Sequence, residues 1–333
     1  MKVATRLFEL HLKHAFRLSR GVSESRRNLL VEIADGGFVG RGEAAPIARY
    51  GQDVESSARA VAVMAERLGD PRFYHDAAQR AAVPGESAAE AAVDLALHDL
   101  LGQRLGVPLY ELWGLDPGTT PPTSFTIGLD TPERVVEKVA EAGDFEILKI
   151  KLGSPRDREI LEAVRAVTTQ TLRVDANEGW SFDEALANLE WLAALGVEMV
   201  EQPLPAAELE ASRELRKHSP LPIWADESVH RPADLPRIAE AFDGINLKLM
   251  KCGGLGPARE LIATARAHGL GVMLGCMIES SIGITAAAHL SPLVDAADLD
   301  GNLLVTDDPF VGVRVVGGRL KLPDGPGLGV EAA

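Results

Sequence analysis

The sequence predicts an α/β protein whose central part is a barrel of parallel strands. Three short apolar segments each run into an acidic residue and then into a turn, at Asp175, Glu201 and Asp226. These acids lie 26 and 25 residues apart, which leaves room for one strand, one helix and two short loops in each interval. An unbroken series of such units is typical of a parallel sheet, and closing that sheet into a barrel gathers the strand ends on one face.

A smaller module is predicted before the barrel, and it begins with strands. Some alternation occurs at residues 7–12, and residues 28–33 and 38–42 flank the turn Asp35-Gly36-Gly37, which predicts a β-hairpin. The polar residues 18–27 are predicted to form a loop before that hairpin.

Two helices should complete this module. Helical periodicity covers residues 54–68 and 87–105, and the second segment is rich in Ala and Leu at packing positions. Ser87, with Glu90 three residues later, is predicted to cap the second helix.

The proline-rich stretch at residues 117–122 marks the predicted domain boundary. The 333 residues suit a barrel with an added module. We expect an N-terminal α+β domain at 1–117, a barrel at 118–303 and a final segment at 304–333. That final segment has a hairpin signal around Gly317-Gly318, and we expect the hairpin to return to the N-terminal domain.

Composition and charge disfavour several classes of partner. The formal charge is −15, from 34 basic and 49 acidic residues, which disfavours nucleic acid and anionic membrane surfaces. The sequence has no run of about 18 apolar residues, so we expect no membrane span. The two cysteines, Cys252 and Cys276, show no paired spacing and indicate a reducing compartment, so a cytoplasmic protein is expected.

The three acids predict a metal site. On successive barrel strands they would meet in one small volume, where they would repel one another without a cation. A ligand set of oxygens alone, without Cys or His, favours Mg²⁺ or a similar hard ion over Zn²⁺. Mn²⁺ is a possible substitute.

Lysines on two further strands predict the chemistry. Lys149 and Lys151 are two apart on one strand, so they share a face, and Lys248 should reach the same cavity from the opposite wall. Paired ammonium groups near a cation lower a lysine pKa, so such a lysine can act as a general base. Lys251 follows its strand and is expected only to support the site. One lysine would remove a proton beside a carboxylate, the other would return it to the opposite face, and Mg²⁺ would stabilise the enediolate.

The chain resembles the enolase superfamily in its muconate-lactonising subgroup. The resemblance covers nearly the whole chain, and its motifs are LKIK, VDANEGW, VEQP, ADES and NLKLMKCGG in the barrel, with residues 91–100, 108–114 and 326–329 outside it. It implies a modified TIM barrel, (β/α)7β, with an α+β capping domain formed by the N-terminal segment and the C-terminal tail. It also implies that Asp175, Glu201 and Asp226 bind the metal, and that Lys151 and Lys248 are the acid/base pair, with Lys149 supporting the first.

The substrate class is predicted from Asp298-Leu299-Asp300 at the end of the last strand. Two carboxylates two residues apart present themselves to one spot and suit a primary ammonium. In this position the pair is similar to that of dipeptide epimerases, which hold the substrate's free amino terminus there and invert the α-carbon of its C-terminal residue. Similar enzymes act on L-Ala-D/L-Glu from murein peptide turnover.

The same resemblance implies further substrate-binding residues and leaves some choices open. The pocket would also be lined by Thr126, Asn177, Cys276 and Ile278. Arg20 would meet a glutamate side chain, although Arg17, Arg26 and Arg27 lie nearby, and other L-Ala-X dipeptides remain open. Alternative activities are N-acylamino-acid racemase, o-succinylbenzoate synthase and muconate cycloisomerase, or a metal-binding protein without catalysis. A homo-oligomer is possible.

Overall fold

The computed structural model describes residues 1–18 and 21–333. Its N-terminal part is an antiparallel sheet covered by helices. The strands are β1 (Lys2–Leu18), β2 (Gly21–Asp35) and β3 (Phe38–Ala44), in that order. The helices are α1 (Val54–Arg67), α2 (Tyr74–Ala81), α3 (Ser87–Leu105) and α4 (Leu109–Leu112).

Helix α3 lies directly on the sheet. A Cβ atom added to Gly42 of β3 would lie 1.9 Å from the Ala92 carbonyl oxygen of α3, so only glycine permits this approach. The side of α3 that faces away from the sheet is also buried, which agrees with its Ala- and Leu-rich sequence. This helix therefore joins the N-terminal part to the rest of the molecule.

Two local predictions for this part are wrong. Most of the polar segment 18–27 is not a loop but the start of β2, where it pairs with β1 in a long two-stranded ribbon. Such a ribbon exposes much of both faces, so its strands need no apolar alternation. Ser87 is the first helical residue and not the cap; its hydroxyl donates instead to the Met250 carbonyl oxygen at 2.8 Å, across to the barrel.

The barrel consists of parallel strands in sequence order. Within the described residues these are β4 (Phe125–Ile127), β5 (Ile147–Lys151), β6 (Thr171–Asp175), β7 (Val197–Glu201), β8 (Ile223–Ala225), β9 (Gly244–Lys248), β10 (Gly271–Gly275) and β11 (Ala296–Asp298). A parallel bridge between Thr123 and Ala297 brings the first and last strands together.

Helices connect these strands on the outside of the barrel. They are α5 (Pro132–Glu141), α6 (Asp157–Val167), α7 (Phe182–Ala194), α8 (Leu209–His218), α9 (Leu235–Ala241), α10 (Leu249–Cys252), α11 (Leu255–Ala267) and α12 (Ser281–Ala288). After β11 the chain enters a 3-10 turn at Gly301–Leu304 in place of an eighth helix. The predicted (β/α)7β architecture with a capping domain is confirmed.

The C-terminal segment contacts both parts of the molecule. Strand β12 (Phe310–Val311) pairs with β15 (Glu331–Ala332), and β13 (Arg314–Val316) pairs with β14 (Arg319–Lys321). The β13–β14 hairpin does not return to the capping domain as expected: Gly318 O accepts from Thr123 N at 2.8 Å, at the start of the first barrel strand. The later Gly327 O instead accepts from Leu109 N at 3.1 Å, in the capping domain.

Among the described residues, the helices are too short or too polar to span a membrane.

Candidate active site

The register of the barrel places the candidate residues at one level. Lys151 of β5 is paired with Asp175 of β6, and Asp175 is paired with Glu201 of β7. On the other side, Gly275 of β10 is paired with both Lys248 of β9 and Asp298 of β11. Because parallel strands point the same way, these residues surround the same end of the barrel.

The three acids meet as their spacing predicts. Asp175, Glu201 and Asp226 each offer an oxygen, these oxygens lie within 4.8 Å of one another, and all three residues are buried. A cluster of carboxylate oxygens without nitrogen or sulfur suits a hard divalent cation such as Mg²⁺. The donor set therefore fits the implied metal.

Lysine ammonium groups contact every carboxylate of this triad. Lys149 Nζ lies 2.7 Å from Glu201 Oε2 and 3.1 Å from Asp175 Oδ2. Lys151 Nζ donates to Asp175 Oδ2 at 2.6 Å, and Lys248 Nζ donates to Asp226 Oδ2 at 2.8 Å. Lys151 and Lys248 therefore lie on opposite sides of the triad, each next to one of its aspartates.

Charge balance decides the pKa values of the triad. Burial raises the pKa of Asp175, but Lys151 and Lys149 outweigh it and hold that pKa below the usual range. Burial also raises the pKa of Asp226, but Lys248 and Lys251 outweigh it and hold that pKa below the usual range. Burial and the charge of Asp175 raise the pKa of Glu201 to about 8.

The lowering of a lysine pKa was predicted for a lysine pair beside a bound cation, and it stays a prediction. The carboxylates themselves act in the other direction on two lysines of the site. Burial lowers the pKa of Lys149, but the carboxylates of Asp298, Glu201 and Asp175 raise it well above its usual value. The pKa of Lys248 is raised as well, because Asp226 outweighs burial. Repulsion between ammonium groups is the smaller effect in a site with this many carboxylates.

Strained backbone marks the turns that follow two of the acids. Asn177 has φ 45° and Glu178 has φ 64°, just after Asp175, and Gln202 has φ 37°, just after Glu201. Residues other than glycine adopt these values at a cost, and such strain is concentrated at functional sites.

The pair Asp298 and Asp300 lies beside the lysines. Asp298 Oδ2 accepts from Lys149 Nζ at 2.8 Å, and its Oδ1 accepts from Ser124 Oγ at 2.5 Å. Asp300 Oδ2 accepts from Thr126 N at 2.6 Å. Lys149 lowers the pKa of Asp298 in spite of its burial, whereas burial and the charge of Asp298 raise the pKa of Asp300 to about 7.

An inner cavity of about 120 Å³ brings most of the predicted residues together. Its lining includes Thr126, Lys149, Lys151, Asn177, Asp226, Lys248, Cys276, Ile278, Asp298 and Asp300. Asp175 and Glu201 lie outside that lining, where lysines cover them. The prediction for Arg20 falls outside the described residues.

Capping-domain residues close the cavity from above. Arg49 and Tyr50 line the inner cavity, and Arg49 Nε and Nη2 donate to the two carboxylate oxygens of Glu178 at 3.0 and 2.8 Å. A second, outer cavity of about 610 Å³ shares Arg26, Ile47 and Arg49 with the inner one. The described lining of the outer cavity belongs to the capping domain, so the two cavities together extend from the barrel strand ends into that domain.

Comparison with known proteins follows the same division of the chain. The model for the mandelate racemase / muconate lactonizing enzyme N-terminal domain matches residues 2–114, and the model for the enolase C-terminal domain-like family matches residues 130–333. The chain belongs to the enolase superfamily. Its barrel and its capping domain are both those of this superfamily.

Individual members of the superfamily are close to the chain over its full length. An L-Ala-D/L-Glu epimerase from Bacteroides thetaiotaomicron is 44% identical over 335 residues, which cover 99% of this chain and 88% of the relative. The structure of a Cytophaga hutchinsonii dipeptide epimerase, solved with Mg and D-Ala-L-Val, has a TM-score of 0.95 at 28% identity. The match covers 99% of this chain and 95% of the C. hutchinsonii chain. The structure of an N-succinyl Arg/Lys racemase from Bacillus cereus has a TM-score of 0.93 at 28% identity. The match covers 100% of this chain and 96% of the B. cereus chain. Overall shape therefore does not separate these activities within the superfamily.

Sequence analysis missed two residues that hold the triad of this enolase-superfamily chain. Gln202 is fully buried, and its Oε1 accepts from Asp226 N at 2.9 Å, which ties the turn after Glu201 to the next acid. Asn246 Nδ2 donates to Glu201 Oε1 at 2.7 Å. Asn246 lies two residues before Lys248 on the same strand, so its side-chain direction was a usable signal. Gln202 gave no such signal.

Lys251, which was expected only to support the site, is buried against one of the acids. Its Nζ donates to both Asp226 O and Asp226 Oδ1 at 2.5 Å, and to Asn246 O at 3.0 Å. These contacts fix the orientation of Asp226. They leave Lys251 outside the lining of the inner cavity.

Proposed function

We propose that this protein is a Mg²⁺-dependent dipeptide epimerase that inverts the α-carbon of the C-terminal residue by 1,1-proton transfer. The observation that carries the proposal is the placement of Lys151 and Lys248 on either side of the triad, with Asp298 and Asp300 at the end of the last strand. The substrate would be L-Ala-D/L-Glu or a related L-Ala-X dipeptide, as in murein peptide turnover. The B. thetaiotaomicron relative and the C. hutchinsonii structure support this class.

Proton transfer is assigned to the two lysines. One takes the α-proton from one face of the carbon, and the electron pair left behind moves into the carboxylate as an enediolate. The other lysine then donates a proton to the opposite face, so the product is the epimer and no atom is gained or lost. Lys149 would hold Asp175 and Glu201 in place beside Lys151. A Mg²⁺ ion held by Asp175, Glu201 and Asp226 would bind the substrate carboxylate and stabilise its growing negative charge.

Recognition of the free amino terminus is assigned to Asp298 and Asp300. Both carboxylates line the inner cavity, and both are buried, so an ammonium group placed there would pair with them at low dielectric. The substrates of acylamino-acid racemases and of the cycloisomerases carry no free ammonium. This pair of aspartates therefore favours the dipeptide over those alternatives.

The side chain of the inverted residue must point towards the capping domain. The hydrogen of the α-carbon faces a lysine in either epimer, its amide nitrogen leads to Asp298 and Asp300, and its carboxylate faces the triad. The remaining substituent is directed at the mouth, where Ile47 and Arg26 lie. The capping domain would thus set side-chain preference, and Thr126, Asn177, Cys276 and Ile278 would form the walls.

An acidic side chain fits the charge at that mouth. Among the described residues, three arginines line the outer cavity, and two of them are paired: Arg27 with Glu55 at 2.8 Å and Arg49 with Glu178. Arg26 donates to the Ser23 hydroxyl, and among the described residues its buried Nε has no hydrogen-bond partner. These contacts support a role for Arg26 in binding a glutamate carboxylate, and Arg20 keeps its predicted part in the same role.

The remaining assignments concern the whole protein. We propose the domain division 1–117, 118–303 and 304–333, and one Mg²⁺ per site with Mn²⁺ as a possible substitute. We also propose a cytoplasmic location. A homo-oligomer is possible. The two free cysteines support the location.

Proton NMR of L-Ala-L-Glu with enzyme and Mg²⁺ in D₂O tests the proposed reaction. We expect the glutamate α-proton signal to disappear while the signals of the L-D diastereomer appear. Exchange without the second diastereomer would mean that one lysine works alone on a poor substrate, and would direct the search to other L-Ala-X dipeptides. The absence of exchange with every L-Ala-X dipeptide would overturn the proposal in favour of an acylated substrate.

A further inference from the structure

Two carboxylates of the capping domain are buried against the starts of two barrel helices. Asp94 of α3 accepts from Leu255 N at 2.6 Å, at the first residue of α11. Glu43 of β3 accepts from Ser280 N at 2.9 Å and from Gly283 N at 3.1 Å, at the start of α12. A negative charge at a helix start is favourable, so each carboxylate fastens the capping domain to one barrel helix.

Glu43 has an additional connection that Asp94 lacks. Asn28 of β2 donates through Nδ2 to Glu43 Oε1 at 2.7 Å and to the carbonyl oxygen of Ile278 at 3.0 Å. Ser280 Oγ donates to Glu43 Oε2 at 2.6 Å. Glu43 and Ser280 are fully buried and Asn28 is 1% exposed, so water does not compete for these bonds.

The segment held in this way is a wall of the candidate active site. Cys276, Met277 and Ile278 follow strand β10 and line the inner cavity. Cys276 Sγ lies 3.3 Å from the carbonyl oxygen of Asp298, so the wall also touches the strand end assigned to the substrate ammonium. A movement of this wall would change the space next to the reacting carbon.

We propose that Glu43 and Asn28 are positioning residues that hold the wall 276–278 in place next to the substrate. The same contacts bind the capping domain to the barrel, so the position of that domain determines the shape of the reaction cavity. The kinetic consequence of this assignment rests on the proposed epimerase function. The position of the wall does not, and it can be measured separately.

Two substitutions test the assignment by kinetics. Asn28→Ala removes the bond to Ile278 O, and Glu43→Gln keeps the side-chain size but directs an amide N–H at backbone donors. We expect each to lower kcat/KM for the dipeptide by roughly 10- to 100-fold, mainly through kcat, because small displacements of groups around a reacting carbon are costly.

The thiol of Cys276 reports on the wall directly. Cys276 is partly exposed and lines the cavity, whereas Cys252 is fully buried, so alkylation by iodoacetamide should mark Cys276. We expect Asn28→Ala and Glu43→Gln to raise the alkylation rate severalfold over the unmodified protein. The same variants carrying Cys276→Ser should lose that signal.

Asp94→Asn is the matched control, because it weakens an equivalent contact to α11 that does not touch the wall. It should lower the melting temperature without changing kcat or the alkylation rate. The assignment is overturned if Asn28→Ala leaves both kcat and the alkylation rate unchanged, or if Asp94→Asn changes them as much as Glu43→Gln does. Should the protein epimerise no dipeptide, the alkylation rates alone decide whether the wall is held as proposed.

Discussion

Four lysines lie with the acidic triad, Asp298 and Asp300 in one buried region at the mouth of the barrel. The lysines contact all three acids of the triad. Lys149 by itself contacts three carboxylates, those of Asp175, Glu201 and Asp298. Asp300 has no lysine contact among the described residues, and burial raises its pKa to about 7. An arriving substrate ammonium would supply the missing positive charge and favour the ionised form of Asp300.

Removal of either proposed acid/base lysine should stop epimerisation. In Lys151→Ala or Lys248→Ala the surviving lysine can still exchange the α-proton of the one diastereomer whose hydrogen faces it. We expect epimerisation to fall by at least about 100-fold, with exchange retained for only one diastereomer, opposite in the two variants. Proton NMR in D₂O measures both quantities.

The exposed Lys217, which pairs with Glu214, provides the control for this experiment. Lys217→Ala should behave as the unmodified protein. Exchange of both diastereomers by both lysine variants would contradict the assignment of one lysine to each face.

Substitution of Arg26 should change substrate preference and leave the proton transfer intact. Arg26→Ala removes the guanidinium placed at the mouth, so kcat/KM for L-Ala-L-Glu should fall about tenfold or more, as for the loss of one charged hydrogen bond. The value for L-Ala-L-Leu should stay the same or rise. Steady-state kinetics with both dipeptides checks this.

Two further arginine variants complete the comparison. Arg27→Ala should affect neither dipeptide, because Arg27 is paired with Glu55. A loss of glutamate preference in Arg20→Ala but not in Arg26→Ala would assign the role to Arg20 instead.

At the scale of elements, the positions of the acids at the barrel strand ends could be predicted from sequence, whereas the two-stranded ribbon of β1 and β2 could not. Asp175, Glu201 and Asp226 could be placed because one unit of strand, helix and loops fixes both their spacing and their direction. Residues 21–27 form a strand because they pair with β1 through the backbone, and backbone pairing leaves no periodic mark on exposed side chains. The register was equally invisible, since it depends on the pairing of strands far apart in sequence.

The contacts of buried polar residues were also beyond prediction from sequence. Ser87 occupies a capping position in its sequence pattern, yet its hydroxyl bonds to Met250 of the barrel. Glu43 and Asn28 lie in ordinary strand sequence, and only the docking of the capping domain reveals their partners. The acids and lysines of the site were found because a strand end gave them a fixed direction.

Glu279, at the start of the α12 connection, should make stability depend on pH. Its Oε1 accepts from Met277 N at 2.7 Å, and burial together with the charge of Glu43 raises its pKa from 4.5 to about 8. The fold thus favours the neutral acid. This contribution is complete below pH 4.5 and is lost as the pH rises through about 8.

Glu279→Gln should remove this dependence, because the amide stays neutral. We expect the melting temperature of the unmodified protein to fall more steeply than that of Glu279→Gln between pH 6 and pH 9, a range on both sides of the raised pKa of about 8. Thermal melts in a pH series show this, and parallel curves would contradict it.

At the scale of the whole molecule, the site lies between two parts of the chain that close on each other. The barrel supplies the triad and the lysines, and the capping domain supplies Arg26, Arg49 and Tyr50. The domains are joined by buried bonds on both sides of the cavity, from Glu43 to α12 and from Asp94 to α11. The C-terminal segment adds a third joint where Leu328 N donates to Asp99 Oδ1 at 2.8 Å.

Mg²⁺ should stabilise the folded protein as a whole. A ligand that binds only the folded state adds about 2.7 kcal/mol at a concentration 100 times its Kd, so saturating Mg²⁺ should raise the melting temperature by several degrees. The chelator EDTA should reverse this shift. Asp226→Asn should reduce it, and an equal shift in this variant would contradict the assigned ligand set.

Residues that would carry out the reaction and residues that would set the preference for the substrate's side chain lie on different parts of the polypeptide. The groups assigned to proton transfer and to metal binding lie on barrel strands or directly after one, and the ladder bonds of these strands involve the backbone alone. Replacing a side chain in the capping domain therefore leaves that ladder unchanged. Evolution or a protein engineer can therefore vary positions such as Arg26 and Ile47 while the proton-transfer groups stay as they are. One inherited reaction can in this way be adapted to new peptides by changes confined to the capping domain.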